Sequence, residues 1–304
     1  MITGEKLISG CRLCGADTAG EPITDGLLRR CPSCQFVWTA SDLPPPEQLY
    51  DSAYYETDGY QDYFTSARQR RYESIRRLRW LRSRVRPATL LEAGSAGGYF
   101  LRAARDAGID ARGVEVSDAA ASFAREQLRV PVRTLRFEDH EQPVPVDVVC
   151  AFHVLEHVTD PWRFLAAARA ALPPGGWLAL EVPNIASAAA HRLGSAWPAI
   201  APEYHRWHFT PASLARLLTD CGFDVVARDT TFSRFYWQAP ARLRNVRNLL
   251  FADFAASRSL RVTHPGLGDL LRVFARRSGD GRTVDSLQAR PRPSQRSIHE
   301  RKHP

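Results

Sequence analysis

The sequence predicts an α/β protein: an open sheet with helices on both faces, preceded by a small cysteine-stapled module. Three observations predict it. Short apolar runs at 89–91, 132–135 and 148–152 alternate with segments whose apolar residues recur at helical spacing, the pattern of βα units. The first run leads into a small-residue loop, TLLEAGSAGGYFL, with Gly94, Gly97 and Gly98 between strand and helix. Ahead of it, Cys11-Arg12-Leu13-Cys14 and Cys31-Pro32-Ser33-Cys34 form two CxxC pairs separated by 16 residues.

A chain of 304 residues that is 44% hydrophobic can bury a real core and hold one ordinary domain plus a small satellite. The formal charge of +8 points weakly to nucleic acid, because all but Lys6 and Lys302 of the 41 basic residues are arginine. That ratio reads as codon bias, and the excess sits in 68–86 and 290–302. No stretch approaches the roughly 18 apolar residues of a membrane span, and the N-terminus lacks a signal peptide's apolar core. A cytoplasmic protein with reduced thiols is expected.

In chain order, each CxxC pair can place two thiolates on one side of a tight turn. Two such knuckles complete a tetrahedral soft-ligand site suited to Zn²⁺ at Cys11, Cys14, Cys31 and Cys34. Four protein ligands and no open position make the ion structural, holding a 1–42 module too small to fold alone. Cys150 and Cys221 stand in apolar or helical surroundings as ordinary buried cysteines. Leu43-Pro44-Pro45-Pro46 is a stiff exit. It opens a 43–86 segment that is rich in tyrosine and then forms an arginine-rich helix over 66–86, with Ile75, Leu78 and Leu81 on its buried side.

At the glycine loop the backbone can take positive φ, and the helix start offers free N–H groups to the polar end of a nucleotide-like ligand. A turn that merely needs glycine would look the same. The next strand closes on Glu115, about 20 residues further on, where a carboxylate can take both hydroxyls of a ribose. Ser117 and Asp118 are cap candidates for the following helix, and Glu138 and Asp139 follow the third strand. The fourth strand, 148–152, runs into His153-Val154-Leu155-Glu156-His157, at the carboxyl ends of the strands where ligands of open α/β sheets lie.

The run Glu92, Ala93, Gly94, Ser95, Ala96, Gly97, Gly98, with Glu115 and the LEHV segment, resembles the first motif and post-fourth-strand motif of class I S-adenosylmethionine-dependent methyltransferases. The resemblance covers about 92–277 and, with the cysteines, extends to bacterial members that carry a zinc ribbon in front. Ala96 replaces the family's middle glycine. A dinucleotide fingerprint would need glycine at later places where alanine and tyrosine stand. The resemblance implies a Rossmann-like seven-stranded sheet over 87–278, with a 233–268 insertion before the last strand and a disordered basic tail at 279–304. It implies cofactor contacts from Glu92, Gly94, Ala96, Gly98, Glu115, Glu138, Phe152 and His153. Tyr54, Tyr55, Tyr60 and Tyr63 are either a packing face or an aromatic lid over the sulfonium. On the acceptor side it offers Glu156, His157 and His205; a histidine there could take a hydroxyl proton, and a structural role for His157 stands beside that reading.

The fifth strand follows Pro173-Pro174-Gly175-Gly176, and an alanine-rich insertion runs to Trp197. His205, Trp207 and His208 precede a helix capped near Thr210. These histidines point to hydrogen bonding that fixes the loop rather than to a metal. A sixth strand, 223–231, and a seventh, 269–277, close the sheet. The 233–268 insertion could cover substrate, touch a membrane surface or pair with a second subunit. The expected acceptor is a small molecule or a sugar of a polysaccharide or natural-product precursor, methylated at O, N or C. The alternatives are an RNA base methyltransferase with a zinc module, disfavoured because FHVLEH stands where a Pro-Pro-Tyr-type motif would, and a non-catalytic scaffold.

Overall fold

The computed structural model describes residues 10–50, 67–142, 144–232 and 268–279. Three short strands, β1 (Glu21–Ile23), β2 (Leu28–Arg30) and β3 (Val37–Thr39), open it. After α1 (Pro46–Leu49) and α2 (Ala67–Arg82) come β4 (Thr89–Ala93), α3 (Tyr99–Asp106), β5 (Asp110–Glu115), α4 (Asp118–Glu126) and β6 (Val132–Thr134). Next are β7 (Val148–Phe152), α5 (Pro161–Ala170), β8 (Trp177–Pro183), α6 (Ala188–Leu193) and β9 (Trp207–His208). The series ends with α7 (Pro211–Asp220), β10 (Phe223–Thr231) and β11 (Leu270–Arg277).

The main sheet runs β10-β11-β8-β7-β4-β5-β6. Its five inner and right-hand strands pair parallel, while β11 is antiparallel to both β8 and β10. Strand periodicity divides its side chains between two cores. Leu91, Ala93, Val149 and Ala151 pack with Phe164 of α5 and Leu214 and Leu217 of α7. Leu90, Val148, Cys150 and Phe152 face the other way, onto Leu78, Leu81, Phe100 and Ala124 of α2, α3 and α4. The sheet is therefore covered on both faces, as the near-continuous apolar strands require.

Local chemistry places the helix starts. Ser117 caps α4 by accepting from the Ala120 N–H. Asp160 accepts from Trp162 and Arg163 N–H groups ahead of Pro161. Thr210 and Ser213 form a reciprocal capping box on α7. Helix α2 departs from expectation at one position: Leu78 and Leu81 are buried, but Ile75 is 43% exposed and Ser74 is buried in its place. The i, i+3 drift of a 3.6-residue helix carries Ile75 off the face that the other two define.

The small module borrows a strand. β1, β2 and β3 form an antiparallel meander, and β9, far along the chain, adds to it as a fourth strand through Val37↔His208 and Trp38↔Trp207. Phe36 stacks on Trp207 at 5.7 Å between ring centroids, and Leu13, Phe36, Trp38, Trp207 and Phe209 belong to the same core as β4 and β7. Two-residue β9 had no sequence signature, because two residues show no periodicity. Tyr54, Tyr55, Tyr60 and Tyr63, most of the 233–268 insertion and nearly all of the basic tail lie outside the described residues. Among the described residues no helix is long and apolar enough to cross a membrane.

Candidate active site

A cavity of about 630 Å³ opens over the carboxyl ends of β4, β5 and β7. Glu92, Gly94, Ala96, Glu115, Glu138, Phe152 and His153 all line it, as do His157 and His205. Of the residues singled out in the sequence, Gly98 and Glu156 do not. Gly98, with φ +78, sits at the start of α3, where a Cβ would meet Val130 at 2.7 Å and Ala124 at 2.9 Å. Its missing Cβ serves helix packing.

The turn after β4 is built for close approach. Gly94 has φ +64 and Ala96 has φ +45, and left-handed backbone of this kind costs an alanine roughly 1–2 kcal/mol. The conformation turns the Ala96 N–H onto Glu115, whose Oε2 accepts it at 2.7 Å while Oε1 accepts from the Ser117 N–H at 2.9 Å. Glu115 is thus pre-aimed, with further lone pairs for ligand hydroxyls. Glu92 is 4% exposed, and its Oε2 has no hydrogen-bond partner among the described residues. Burial pushes the Glu92 carboxyl well up, reinforced by Glu115 and opposed by Arg77. A buried polar atom without a partner costs about 1–3 kcal/mol, and a ligand donor in the cavity would remove that cost.

Glu181 was not singled out in the sequence. It is 1% exposed on β8 and accepts from Arg77 at 2.7 and 2.9 Å and from Arg272 at 2.6 Å. The His153 Nε2 stands 3.4 Å from it. Burial alone would raise the Glu181 carboxyl, but Arg272 and Arg77 hold it well below the usual carboxylate range. His153 has φ +57 at the end of β7, so its ring reaches back between Glu181 and Glu156, with Nδ1 3.3 Å from the latter. Burial would lower its pKa, yet these two carboxylates outweigh burial and raise it to about 9. The two carboxylates therefore favour the protonated imidazole.

On the opposite wall Glu156 is fully buried, and its carbonyl accepts from the Arg206 and Trp207 N–H groups at 2.8 and 3.2 Å. That backbone link brings His205 beside His157, with ring centroids 4.6 Å apart. Burial, with His205 alongside, pushes His157 down to about 3, and burial also lowers His205. Both imidazoles are neutral at physiological pH. Tyr50, just past the proline exit, puts its hydroxyl 2.5 Å from His157 Nδ1. His208 takes no part in this wall: its Nε2 lies 3.0 Å from the Thr39 hydroxyl in the ribbon.

In the ribbon the four cysteines converge, with Sγ–Sγ distances of 3.5 Å for Cys11–Cys34 and 3.6 Å for Cys14–Cys31. Zinc–sulfur bonds of about 2.3 Å place tetrahedral sulfurs roughly 3.8 Å apart, so the set fits with little adjustment.

Residues 64–228 match the family described as a methyltransferase domain. Among curated relatives, the ubiquinone biosynthesis O-methyltransferase of Thiobacillus denitrificans is 29% identical over 165 residues, which is 49% of this chain and 71% of that protein. Its counterpart from Paramagnetospirillum magneticum is 33% identical over 156 residues, 45% of this chain and 59% of that one. The matches to two further relatives of the same name, from Bordetella avium and Hydrogenovibrio crunogenus, span 49% and 43% of those proteins. A solved methyltransferase from Archaeoglobus fulgidus superposes with a TM-score of 0.51 and 19% identity, over 72% of this chain and all of that one. Magnesium protoporphyrin IX methyltransferase from Synechocystis, solved with bound SAH, gives 0.51 and 14%, over 76% and 98%. At these identities the structures show a shared fold.

Proposed function

We propose, from the premise that this chain belongs to the methyltransferase-domain family and is a class I S-adenosylmethionine-dependent methyltransferase, that its acceptor is a hydroxyl of a small molecule or sugar. One observation carries this reading: a single cavity joins the Glu92–Glu115 wall to the His157–His205 wall. The O-methyltransferase names of the relatives support it. Bound S-adenosylmethionine supplies a methyl group on an electron-poor sulfonium. Glu115 would hold the ribose hydroxyls, Glu138 would meet the adenine amino group, and the partnerless Glu92 oxygen would accept from the amino end.

Methyl transfer is an in-line displacement that neutralises charge, so the chain chiefly has to align donor and acceptor and exclude water. Phe152 and Val154 supply apolar lining. Glu156, His157 and His205 would form the acceptor-side set that holds the hydroxyl in place as it loses its proton. The test is a panel of phenols, catechols and sugars assayed for S-adenosylhomocysteine release. Turnover with RNA alone would defeat the reading.

The four cysteines would hold one structural zinc. Cys31→Ser is expected to release it and to loosen β3 from β9, read as a lower melting temperature and exposed Trp38 and Trp207 fluorescence. An unchanged metal content and melt would remove the ribbon assignment.

A further inference from the structure

We propose that Glu156, His157 and His205 bind one divalent transition-metal ion at the acceptor wall, a second site apart from the four cysteines. One ligand atom from each of the three residues can be chosen so that all lie within 4.8 Å of one another. An ion would draw them together by about 1 Å, since bonds of roughly 2.0–2.2 Å are required.

Two independent features point to a ligand there. The first is Glu156 itself, fully buried, with both carboxylate oxygens lacking a hydrogen-bond partner among the described residues. His153 Nδ1 stands 3.3 Å from Oε1 as an ion-pair partner, but it is shared with Glu181 and leaves Oε2 without a hydrogen bond among the described residues. A buried carboxylate is costly unless paired or metal-bound, and one imidazole shared with Glu181 compensates it only in part.

The second feature is how the two imidazoles are held. Nδ1 of His157 lies 3.2 Å from the Tyr204 carbonyl, and Nδ1 of His205 lies 2.9 Å from the Ala199 carbonyl. A carbonyl only accepts, so the Nδ1 of His205 carries the proton and its Nε2 keeps a lone pair. The Nδ1 of His157 also meets the Tyr50 hydroxyl at 2.5 Å, and with that hydroxyl accepting beside the carbonyl its Nε2 keeps a lone pair too. The Nε2 of His157 stands 3.9 Å from Glu156 Oε1. Outer carbonyls that fix a histidine's tautomer and leave the other nitrogen inward are the usual setting of a metal ligand. For a merely structural histidine, one would expect both nitrogens to be satisfied.

Two imidazoles and one carboxylate suit zinc, iron or manganese better than magnesium or calcium. Three protein ligands also leave a coordination position open, and His157 and His205 line the cavity while Glu156 lies behind them. The open position therefore faces the acceptor. Resting on the hydroxyl-acceptor reading above, the ion would bind the acceptor oxygen and make its proton more acidic. The O–H bond breaks and its proton passes to solvent water. The oxygen lone pair forms the new O–C bond, and the electron pair of the breaking S–C bond stays on sulfur, leaving a neutral thioether.

The test uses the full chain equilibrated with zinc and then dialysed. Two equivalents are expected per chain, falling to one in Glu156→Gln and in His205→Asn, with the far-UV circular dichroism spectrum retained in both as the check on folding. Should either variant unfold, cobalt titration of the unaltered chain decides. One equivalent should show thiolate-to-cobalt charge transfer, and a second should add ligand-field bands without it. A single equivalent with only the thiolate signature overturns the proposal, as does retention of two equivalents in both variants. Metal is counted without any acceptor present. A failure to methylate hydroxyls would therefore sink the acceptor reading alone.

Discussion

Saturable binding of S-adenosylhomocysteine is expected to vanish in Gly94→Arg, a loss of at least about 100-fold, or about 2.8 kcal/mol at 1.4 kcal/mol per factor of ten. Gly94 lines the cavity with φ +64, and a Cβ built there would stand 2.4 Å from Val154 Cγ2, itself a lining atom. Any side chain must therefore either displace Val154 or turn the loop. Turning it withdraws the Ala96 N–H from Glu115 and misaims the carboxylate proposed for the ribose. Titration calorimetry reads the loss, and thermal melting separates it from unfolding. The control is Gly98→Ala, whose new methyl would press on Val130 and Ala124 outside the cavity lining. It should lower the melting temperature while leaving affinity in place. Equal affinity in Gly94→Arg and the unaltered chain would remove the site from this turn.

The largest loss of stability is expected at Glu181, where Glu181→Gln should cost about 3–5 kcal/mol, the range for removing one partner of a buried ionic cluster. The amide keeps the volume but strips the charge that Arg77, Arg272 and the His153 imidazolium share. Three cations would then face one another beneath the cavity. Because the folded carboxyl is held below its unfolded value, its contribution is complete above about pH 4.5 and lost as pH falls through the folded value. The gap between the two melting temperatures should therefore be widest near neutrality and close on acidification. A gap that grows with acid, or a variant as stable as its parent, would show that the cluster is not a net source of stability.

Much of this architecture was legible from local spacing. The strands at 148–152 and 223–231 coincide with β7 and β10, Ser117 and Thr210 cap the helices they precede, and the cysteines meet as two CxxC knuckles should. In each case the deciding interaction spans few residues, or follows a period of two or 3.6. The acceptor wall was only half legible. His157 and His205 could be marked as histidines near a strand end. Whether a carboxylate stood between them could not be known, because Glu156 is linked to the His205 loop through a pairing 50 residues apart, Glu156 with Arg206. The expectation that the His205–His208 loop serves hydrogen bonding and not a metal overlooked Glu203 in sequence and Glu156 in space. Tyr50 and Glu181 went unmarked for the same reason. One follows a proline run and the other lies inside an apolar strand, and neither position has a local signature.

By itself, then, the sequence determined the class of fold, the glycine turn that opens onto the cavity and the cysteine knuckles, since each is written in neighbours along the chain. Tertiary structure alone decided that β9 belongs to the ribbon, that His153 reaches between two buried carboxylates, and that Glu156 faces His157 and His205. Those arrangements depend on which distant segments share one core. That choice is made by the packing of the whole sheet and its helices, after the local elements have formed.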